Sequence, residues 1–255
     1  MPGGRRELDC FFAALRFFTR LPVPAWVGHD SDSLSRAAKY LPLVGLLVGA
    51  VGAVVYVLAG LLWPPSVAIV MSMAATLYIT GAFHEDGLSD TADGLGGGWD
   101  KERILAIMKD SRVGSYGVIA LVLALLGKFV LLRELDPALL PWALIAAHAF
   151  SRLCATLVMA GMEYVRDEAQ SKAKPLVSRM STAECLLAAV FGSCALLFLP
   201  IVQALAAVLL SALLTLWLAG LFKRWLGGYT GDCLGAVQQL SEIGFYLGLL
   251  VVLPL

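Results

Sequence analysis

Charged residues are scarce in this sequence, and neither sign is in excess. Asp, Glu, Lys and Arg together make up 15% of the 255 residues, and the formal net charge is zero. A soluble domain usually carries about 25% charged residues, so the composition excludes an ordinary soluble protein. The balanced charge gives no sign of a nucleic-acid partner, and none is expected. Apolar residues are abundant instead: 59% of the chain is hydrophobic and the mean hydropathy is +0.81, which indicates a membrane protein.

Two further patterns are missing. No two cysteines have the close spacing of a metal-binding clamp, so we interpret all five as reduced residues that pack in apolar stretches. The N-terminus resembles a signal peptide only at Arg5 and Arg6. Arg16 and Arg20 interrupt the apolar run, and no small-residue cleavage site follows, so we expect no cleaved leader. The five cysteines are Cys10, Cys154, Cys185, Cys194 and Cys233.

Long apolar stretches predict about seven membrane-spanning helices, since a helix needs about 20 apolar residues to cross the bilayer core. They cover residues 40–62, 66–83, 113–132, 137–162, 182–199, 202–222 and 234–255. Aromatic residues mixed with arginines at residues 8–21 predict a further helix that lies on the membrane surface. The expected fold is all-α: a polytopic membrane bundle forming one domain over residues 1–255, with an interfacial segment at 1–39 and the transmembrane bundle at 40–255.

Helix-start signals accompany two of the spans. Asp136 followed by Pro137 predicts a helix that begins at Pro137, because proline is favoured at the first helical position. Ser181 and Glu184 have the spacing of a capping box. The last span is the least typical of the seven, because Glu242 lies within it.

Basic residues predict the orientation of the chain. They concentrate before the first span and in the connections that follow the second, fourth and sixth spans, whereas the opposite connections carry only Arg133. Cytoplasmic loops are enriched in lysine and arginine. We therefore expect the N-terminus and the polar loops to face the cytoplasm. The loop after the fourth span contributes Arg166, Lys172, Lys174 and Arg179.

Three aspartates follow the second predicted span at helical spacing: Asp86, Asp90 and Asp93. If that span continues as a helix into the cytoplasm, all three lie on one face. Like charges at this spacing repel each other, and a bound cation would reverse the repulsion. A solvated acidic helix end is the alternative, but no lysine or arginine before Lys101 compensates the charge. Oxygen ligands favour Mg²⁺ or Mn²⁺ over zinc, so we predict a magnesium site formed by these carboxylates.

Residues suited to substrate phosphates surround this acidic cluster. His84 precedes it, and Gly94 begins a glycine-rich run that would let the backbone approach a ligand closely, although a flexible loop has the same composition. Lys109 and Arg112 can neutralise phosphate oxygens, or they are simply the basic flank of the third span. Asp110 is either a further metal ligand or a residue that orients the neighbouring guanidinium. Carboxylates, a divalent ion and basic side chains are the usual components of a phosphoryl-transfer site.

Polar residues also lie within or beside later spans. His148, Ser151 and Arg152 share one face of the fourth span, where ionisable groups are costly and usually face a cavity or a partner. Arg152 is therefore a candidate for phosphate binding, with a structural ion pair as the alternative. Asp232 follows the sixth span in a glycine-rich stretch and could complete the metal site or act as a base. Glu242 could face the same cavity.

Five segments resemble the cobalamin synthase (adenosylcobinamide-GDP ribazoletransferase) family, in the family's order and across nearly the whole chain. They are residues 18–24, 40–49, 81–94 with the core HEDGLSDTADG, 107–117 with MKDSRVGSYG, and 229–235 with YTGDCLG. The combination of the third and fourth segments, HEDGLSDTADG and MKDSRVGSYG, is highly specific. Ser89 and Val113 depart from the residues that are frequent in the family, but neither is a proposed ligand.

The resemblance implies a reaction and a location. Members of this family join adenosylcobinamide-GDP to α-ribazole or its 5′-phosphate, release GMP and require Mg²⁺. By this resemblance the three aspartates would hold Mg²⁺ on the diphosphate, Lys109 and Arg112 would neutralise charge as GMP leaves, and Asp232 would activate the ribazole hydroxyl. The expected location is the bacterial cytoplasmic (inner) membrane, with the active site facing the cytoplasm and the lipid bilayer around the bundle. Association with a second copy of the chain and with other corrinoid-pathway enzymes stays open.

Two other classes of protein share part of this pattern. Residues 90–94 resemble the start of the CDP-alcohol phosphatidyltransferase motif, but neither its Ala-Arg pair nor its distal aspartates follow. A secondary transporter would place its acidic residues near the bilayer centre on broken, repeated helices, whereas the acidic cluster here lies at the predicted membrane edge. Both classes are therefore disfavoured.

Overall fold

The computed structural model of the chain describes residues 3–27, 36–165 and 180–251. Within these ranges every regular element is a helix, apart from one isolated bridge between Tyr164 and Tyr229, so the predicted all-α class is confirmed. The helices are α1 Gly3–Phe18, α2 Leu41–Gly60, α3 Pro65–Thr80, α4 Phe83–Gly97, α5 Lys101–Lys109, α6 Ser115–Glu134, α7 Leu140–Gly161, α8 Thr182–Ser193, α9 Ile201–Trp225 and α10 Gly231–Leu249. Short 3₁₀ segments, Ala37–Tyr40 and Cys194–Phe198, precede α2 and follow α8.

Some of the predictions lie outside the described residues. They are the basic loop with Arg166, Lys172, Lys174 and Arg179, residues 28–35 of the N-terminal segment, and the last residues, 252–255, of the seventh predicted span.

Among the described residues, four helices are long and apolar enough to cross a membrane: Ala37–Gly60, Ser115–Glu134, Leu140–Gly161 and Ile201–Trp225. A fifth crossing is added if α3 and α4 count together as one broken span. The predicted span at 182–199 corresponds to a shorter apolar helix, Thr182–Phe198. The predicted span at 234–255 corresponds to α10, which carries polar residues in its interior. The polytopic membrane fold is thus confirmed, while length and composition support four or five crossings rather than seven.

The acidic helix α4 is not a straight continuation of the second span, as the sequence had predicted. The axes of α3 and α4 differ by 86°, because Gly81 (φ 66°) and Ala82 (φ 55°) both adopt the left-handed conformation between them. Glycine adopts that conformation without steric cost, and the Arg20 side chain occupies the space where a Cβ on Gly81 would lie. The bend turns α4 across the bundle, toward α6 and α10.

The predicted helix start is confirmed at α8 and is wrong by three residues at α7. Ser181 and Glu184 form the predicted capping box at the start of α8. Helix α7 begins at Leu140 and not at Pro137. The Asp136 carboxylate accepts a hydrogen bond from the Ala138 amide at 2.9 Å, and this turn occupies the residues that were predicted to start the helix.

The helices pack around α7 and α10, whose inward faces are buried almost without a break. The most extensive interfaces are those of α2 with α7, of α10 with α9 and α4, and of α2 with α3. Glycines on α2 permit the first of these, because a Cβ on Gly49 would lie 2.7 Å from the Ile145 Cα. Helix α1 adds a buried face that includes Cys10 and Ala14. Side chains on α10 can therefore contact α4, α7 and α9 at the same time.

Candidate active site

Helices α4 and α10 cross in direct backbone contact. A Cβ on Gly87 would lie 2.8 Å from the Asp232 carbonyl oxygen, and a Cβ on Gly235 would lie 2.8 Å from the His84 carbonyl oxygen. Any larger side chain at either glycine would force the helices apart. The crossing places the first turns of the acidic helix beside the first turn of α10. The backbones of the two acidic stretches therefore lie side by side at this crossing.

The three predicted metal ligands lie on α4 in different environments. Asp86 is exposed, Asp90 is half-buried and Asp93 is buried. Across residues 3–27, 36–165 and 180–251, no three His, Cys, Asp or Glu side chains come together in a group that could hold a metal ion. Mg²⁺ is commonly held by one or two carboxylates, with substrate phosphates and water completing its shell. Asp86 and Asp90, one turn apart, fit that smaller donor set.

Asp93 binds the start of α6 instead of pointing to solvent. Its Oδ2 accepts a hydrogen bond from the Gly114 amide at 2.7 Å, and its Oδ1 accepts one from the Gly117 amide at 2.9 Å. Unpaired amides and the positive end of the helix dipole both favour a carboxylate at a helix N-terminus. Asp93 therefore attaches α4 to the first turn of α6, and its role as a third metal ligand stays a prediction.

The glycine-rich run after Asp93 is helical and packs against α5. Gly94, Gly96 and Gly97 belong to α4, and only Gly98 leaves it, with extended backbone. A Cβ on Gly94 would lie 2.6 Å from the Met108 side chain, and a Cβ on Gly96 would lie 2.6 Å from the Tyr116 ring. In this structure these two glycines permit close helix packing, and a phosphate contact at Gly94 rests on the sequence alone.

The basic residues predicted to bind phosphate lie at the surface after α5. Lys109 ends that helix and is exposed. The Arg112 side chain is 87% exposed, and its Nη2 donates to the Asp110 carboxylate at 2.6 Å. These hydrogen bonds lower the pKa of Asp110 to about 2, so its carboxylate is ionised at neutral pH. Of the two roles predicted for Asp110, orienting Arg112 is the one this geometry shows.

Behind the acidic helix, two buried charges from different helices form an ion pair. The Lys128 Nζ of α6 lies 3.0 Å from the Glu242 Oε1 of α10, and both side chains are almost fully buried. Glu242 also accepts hydrogen bonds from Gln238 at 2.6 Å and from Tyr246 at 3.2 Å. Charges inside a membrane bundle are costly unless paired, and this pair satisfies both partners.

The same network reaches α4 and α7. Gln239 accepts a hydrogen bond from Lys128 at 3.1 Å and donates one to Glu85 at 2.7 Å. On α7, Ser151 accepts a hydrogen bond from Gln238 at 3.0 Å. Glu85 directly precedes Asp86, so four helices are connected through polar contacts immediately behind the acidic face.

Arg152 and His84 lie in the interior and not beside the basic surface loop. The Arg152 guanidinium is 1% exposed and donates from Nη1 to the His148 carbonyl oxygen at 3.0 Å. This contact is a hydrogen bond to a backbone carbonyl and not the ion pair that the sequence left open as the alternative, and phosphate binding by Arg152 stays a prediction. His84 is 4% exposed and stacks on Phe18. Both residues would need to move to contact a substrate phosphate.

Sequence reasoning found the acidic helix and missed the ion pair behind it. Lys128 lies alone in an apolar span, and Glu242 lies in another span more than 100 residues away. The available signal was the cost of an isolated charge at membrane depth, which predicts that each charge has a partner. That cost does not identify which helix supplies the partner.

The described part of the chain is a helical membrane bundle in which the acidic helix α4 crosses α10 near Asp86 and Asp232. The chain belongs to the cobalamin-5-phosphate synthase family, whose model matches residues 10–250. It is 49% identical to the adenosylcobinamide-GDP ribazoletransferase of Shewanella pealeana over 256 residues, which cover 99% of this chain and 98% of that protein. The same-named proteins of Shewanella halifaxensis and Shewanella frigidimarina are 49% and 48% identical, each over 97% of this chain and over 97% and 96% of their own lengths. No solved structure matches the chain.

These similarities establish the class of enzyme. The relatives are transferases by name, and the matched region includes every helix of the bundle from α2 to α10. The chain is therefore a membrane-embedded transferase of cobalamin biosynthesis. The acidic helix and the loop after α5 both lie within the matched region.

Proposed function

We propose that the chain transfers the corrinoid phosphate of adenosylcobinamide-GDP to a hydroxyl of α-ribazole or of its 5′-phosphate. The hydroxyl oxygen forms a new bond to the phosphorus that carries the corrinoid, the bond from that phosphorus to the bridging oxygen breaks, and GMP leaves with that oxygen. One observation carries the proposal: a relative named for this reaction aligns with 99% of the chain at 49% identity. The acidic face of α4 beside the start of α10 would supply the side chains for such a transfer.

The proposal includes a divalent metal, Mg²⁺ or Mn²⁺, held by Asp86 and Asp90. These carboxylates lie one helical turn apart and are exposed and half-buried, respectively. Oxygen donors of this kind suit Mg²⁺, and the substrate diphosphate would provide the remaining oxygens. Such an ion neutralises the negative charge that accumulates during phosphoryl transfer. Asp93 would steady α4 through its two bonds to the start of α6.

Three further side chains would act on the substrates. Lys109 and Arg112 would bind the GMP phosphate as it leaves, and the Arg112–Asp110 pairing leaves Arg112 Nη1 for a phosphate oxygen. Asp232 is half-buried at the start of α10, where its carboxylate would accept the proton of the ribazole hydroxyl. General-base catalysis of this kind contributes about 10²- to 10⁴-fold to a rate.

We also propose that the site faces the cytoplasm of a bacterial cell from the inner membrane. The concentration of basic residues in the N-terminal segment and in the polar loops supports this orientation. It would place the nucleotide-binding side chains in the compartment that contains GDP-linked metabolites.

The test uses purified protein in detergent with Mg²⁺, adenosylcobinamide-GDP and α-ribazole. We expect stoichiometric GMP and a corrinoid product, both measured by chromatography. Asp90→Asn should abolish turnover while the helical circular dichroism and the elution volume remain those of the wild type. Glu102→Gln is a matched control, because Glu102 is an exposed acidic residue on the neighbouring helix α5.

Two results would count against the proposal. Wild-type protein that releases no GMP from these substrates would refute the reaction. Full activity in Asp90→Asn, with the same dependence on Mg²⁺ concentration, would refute the role of the acidic face.

A further inference from the structure

A small apolar cavity lies beside the α4–α10 crossing. Its walls come from the end of α1, the start of α4, the end of α7 and the start of α10. Almost every atom that faces it is apolar, and six of its residues carry aromatic rings: Phe17, Phe18, Phe83, His84, Tyr164 and Tyr229. Ligand pockets in proteins are typically apolar and aromatic with a few polar groups.

The rings form an interlocked set with both stacked and edge-to-face contacts. Phe18 stacks on His84 with ring centroids 6.4 Å apart and an interplanar angle of 14°. Phe83 meets His84 edge-to-face at 5.6 Å and 90°. On the other wall, Tyr164 and Tyr229 meet at 5.5 Å and 72°. A planar aromatic ligand could stack on some of these rings and contact others edge-to-face, and these are the two arrangements that aromatic pairs prefer.

Backbone hydrogen bonds fix the tyrosine wall. The Tyr229 amide donates to the Glu163 carbonyl oxygen at 2.9 Å, and the Val165 amide donates to the Tyr229 carbonyl oxygen at 3.0 Å. These bonds tie the chain that leaves α7 to the chain that enters α10. The cavity therefore has a rigid side next to Gly231 and Asp232.

His84 contributes an imidazole to the lining of this cavity. Its side chain is buried at 4% exposure, and its ring packs against Phe18 and Phe83. A neutral imidazole offers one N–H donor and one acceptor nitrogen, so a ligand with a ring nitrogen can form a hydrogen bond with it.

We propose that this cavity binds the planar, nitrogen-containing aromatic base of the nucleoside substrate, with His84 hydrogen-bonded to a ring nitrogen. This inference rests on the proposed function, because the nucleoside is the acceptor of that reaction. The position agrees with it: Gly235 lines the cavity and also contacts the backbone of α4 at Gly87, next to Asp86. A base seated here would hold its attached ribose near Asp232.

The cavity must widen to admit a bicyclic ring. Its free volume is about 30 Å³, which is room for one or two water molecules. Side-chain rotamers commonly change when a ligand binds. Phe17 on α1 is half-buried, so its ring can rotate outward and enlarge the cavity. The tyrosine wall would stay in place.

The experiment uses two variants that alter the cavity and one matched control. Phe83→Leu keeps an apolar side chain but removes a ring, and His84→Phe keeps a flat buried ring but removes both nitrogens. The control is Phe198→Leu, which breaks the stacked pair of Trp142 and Phe198, with centroids 4.3 Å apart, outside the cavity. Each protein is assayed in detergent with α-ribazole varied at saturating adenosylcobinamide-GDP. A second assay varies adenosylcobinamide-GDP at saturating α-ribazole.

Each cavity variant should raise KM for α-ribazole by about 2- to 10-fold, the loss expected for one aromatic contact or one hydrogen bond. KM for adenosylcobinamide-GDP should change by less than a factor of two, and Phe198→Leu should resemble the wild type in both. An unchanged KM for α-ribazole in both cavity variants would overturn the inference. Equal increases in the two KM values would overturn it as well.

Equilibrium dialysis of benzimidazole alone separates this inference from the proposed reaction. Benzimidazole should bind the wild type and Phe198→Leu above the background of protein-free micelles, and more weakly both cavity variants. If wild-type protein shows this binding but forms no GMP, the reaction is wrong and the binding site stands. If GMP forms but benzimidazole binds no better than to micelles, or binds all four proteins equally, the binding site is wrong and the reaction stands.

Discussion

Replacing Asp93 by asparagine separates two roles that the sequence could not distinguish. In the structure both carboxylate oxygens accept hydrogen bonds from backbone amides at the start of α6, those of Gly114 and Gly117. Asparagine retains one acceptor oxygen but presents an NH₂ group to the other amide, so one hydrogen bond is lost and two donors face each other. The negative charge at the helix N-terminus is lost as well. Asp93→Asn is therefore expected to weaken the fold.

The expected loss follows from the burial of Asp93 and from the two amides it binds. A hydrogen bond to a charged group contributes about 1.5–3 kcal/mol, and a charge at a helix N-terminus contributes about 0.3–1 kcal/mol, or up to about 2 when partly buried. We therefore expect Asp93→Asn to lower the free energy of unfolding by about 2–4 kcal/mol. For a chain of this size each 1 kcal/mol corresponds to about 2–4 °C in Tm, so Tm should fall by about 4–16 °C.

Asp86→Asn is the matched comparison. Asp86 is exposed in the first turn of α4, so its substitution should cost at most about 1 kcal/mol. Tm of both variants is measured by circular dichroism in detergent, and the Mg²⁺ concentration for half-maximal GMP release is measured in parallel. Asp86→Asn should raise that Mg²⁺ concentration at least tenfold with little change in Tm. Asp93→Asn should lower Tm with little change in that Mg²⁺ concentration.

A particular result would refute this reasoning. If Asp93→Asn leaves Tm unchanged and raises the Mg²⁺ requirement as much as Asp86→Asn does, then Asp93 is a third metal ligand and not an anchor for α6.

Three further substitutions test the packing around the site. Lys128→Met should lower the free energy of unfolding by about 3–5 kcal/mol, because it removes the lysine that pairs with the buried Glu242 carboxylate. Adding Glu242→Gln should restore most of the loss. Gly117→Ala should lower the free energy of unfolding by about 1–3 kcal/mol, because the new methyl group overlaps buried side chains of α4. Gly127 lies in the same helix with open space around it, so Gly127→Ala should raise the free energy of unfolding by about 0.5–1 kcal/mol. Ala82→Gly should raise the free energy of unfolding by about 0.5–1 kcal/mol, because glycine adopts the left-handed conformation at φ 55° without the steric cost that alanine has. Urea unfolding in detergent measures the stability of all these variants.

Each of these expectations has a contradicting outcome. A double variant of Lys128 and Glu242 that is no more stable than the single Lys128 variant would show that charge pairing is not the cause. Equal stability of the two glycine variants would show that the space around Gly117 is not restricted. Loss of stability in Ala82→Gly would show that the left-handed backbone carries no strain there.

Local signals predicted the elements of this fold well. The apolar runs gave the positions of α2, α6, α7 and α9 to within a few residues, and Ser181 with Glu184 gave the start of α8. The acidic spacing placed Asp86, Asp90 and Asp93 on one helix. These successes depend on interactions between near neighbours in the chain, which a sequence displays directly.

Errors arose where contacts between distant residues decide the structure. A single glycine at position 81 does not show that the next residue, Ala82, will also turn left-handed and bend the chain by 86°. The glycine-rich run does not reveal that Gly94 and Gly96 lie against the Met108 and Tyr116 side chains. The partner of Glu242 also depends on tertiary packing. These features are set by which helices meet, and composition and spacing do not specify that.

Binding of Mn²⁺ in the presence of adenosylcobinamide-GDP tests the central claim most directly. Electron paramagnetic resonance counts the Mn²⁺ bound per chain, independently of turnover. The account predicts that bound Mn²⁺ appears in the wild type when the nucleotide is present and is lost in both Asp86→Asn and Asp90→Asn. Equal Mn²⁺ binding by the wild type and both variants would contradict it.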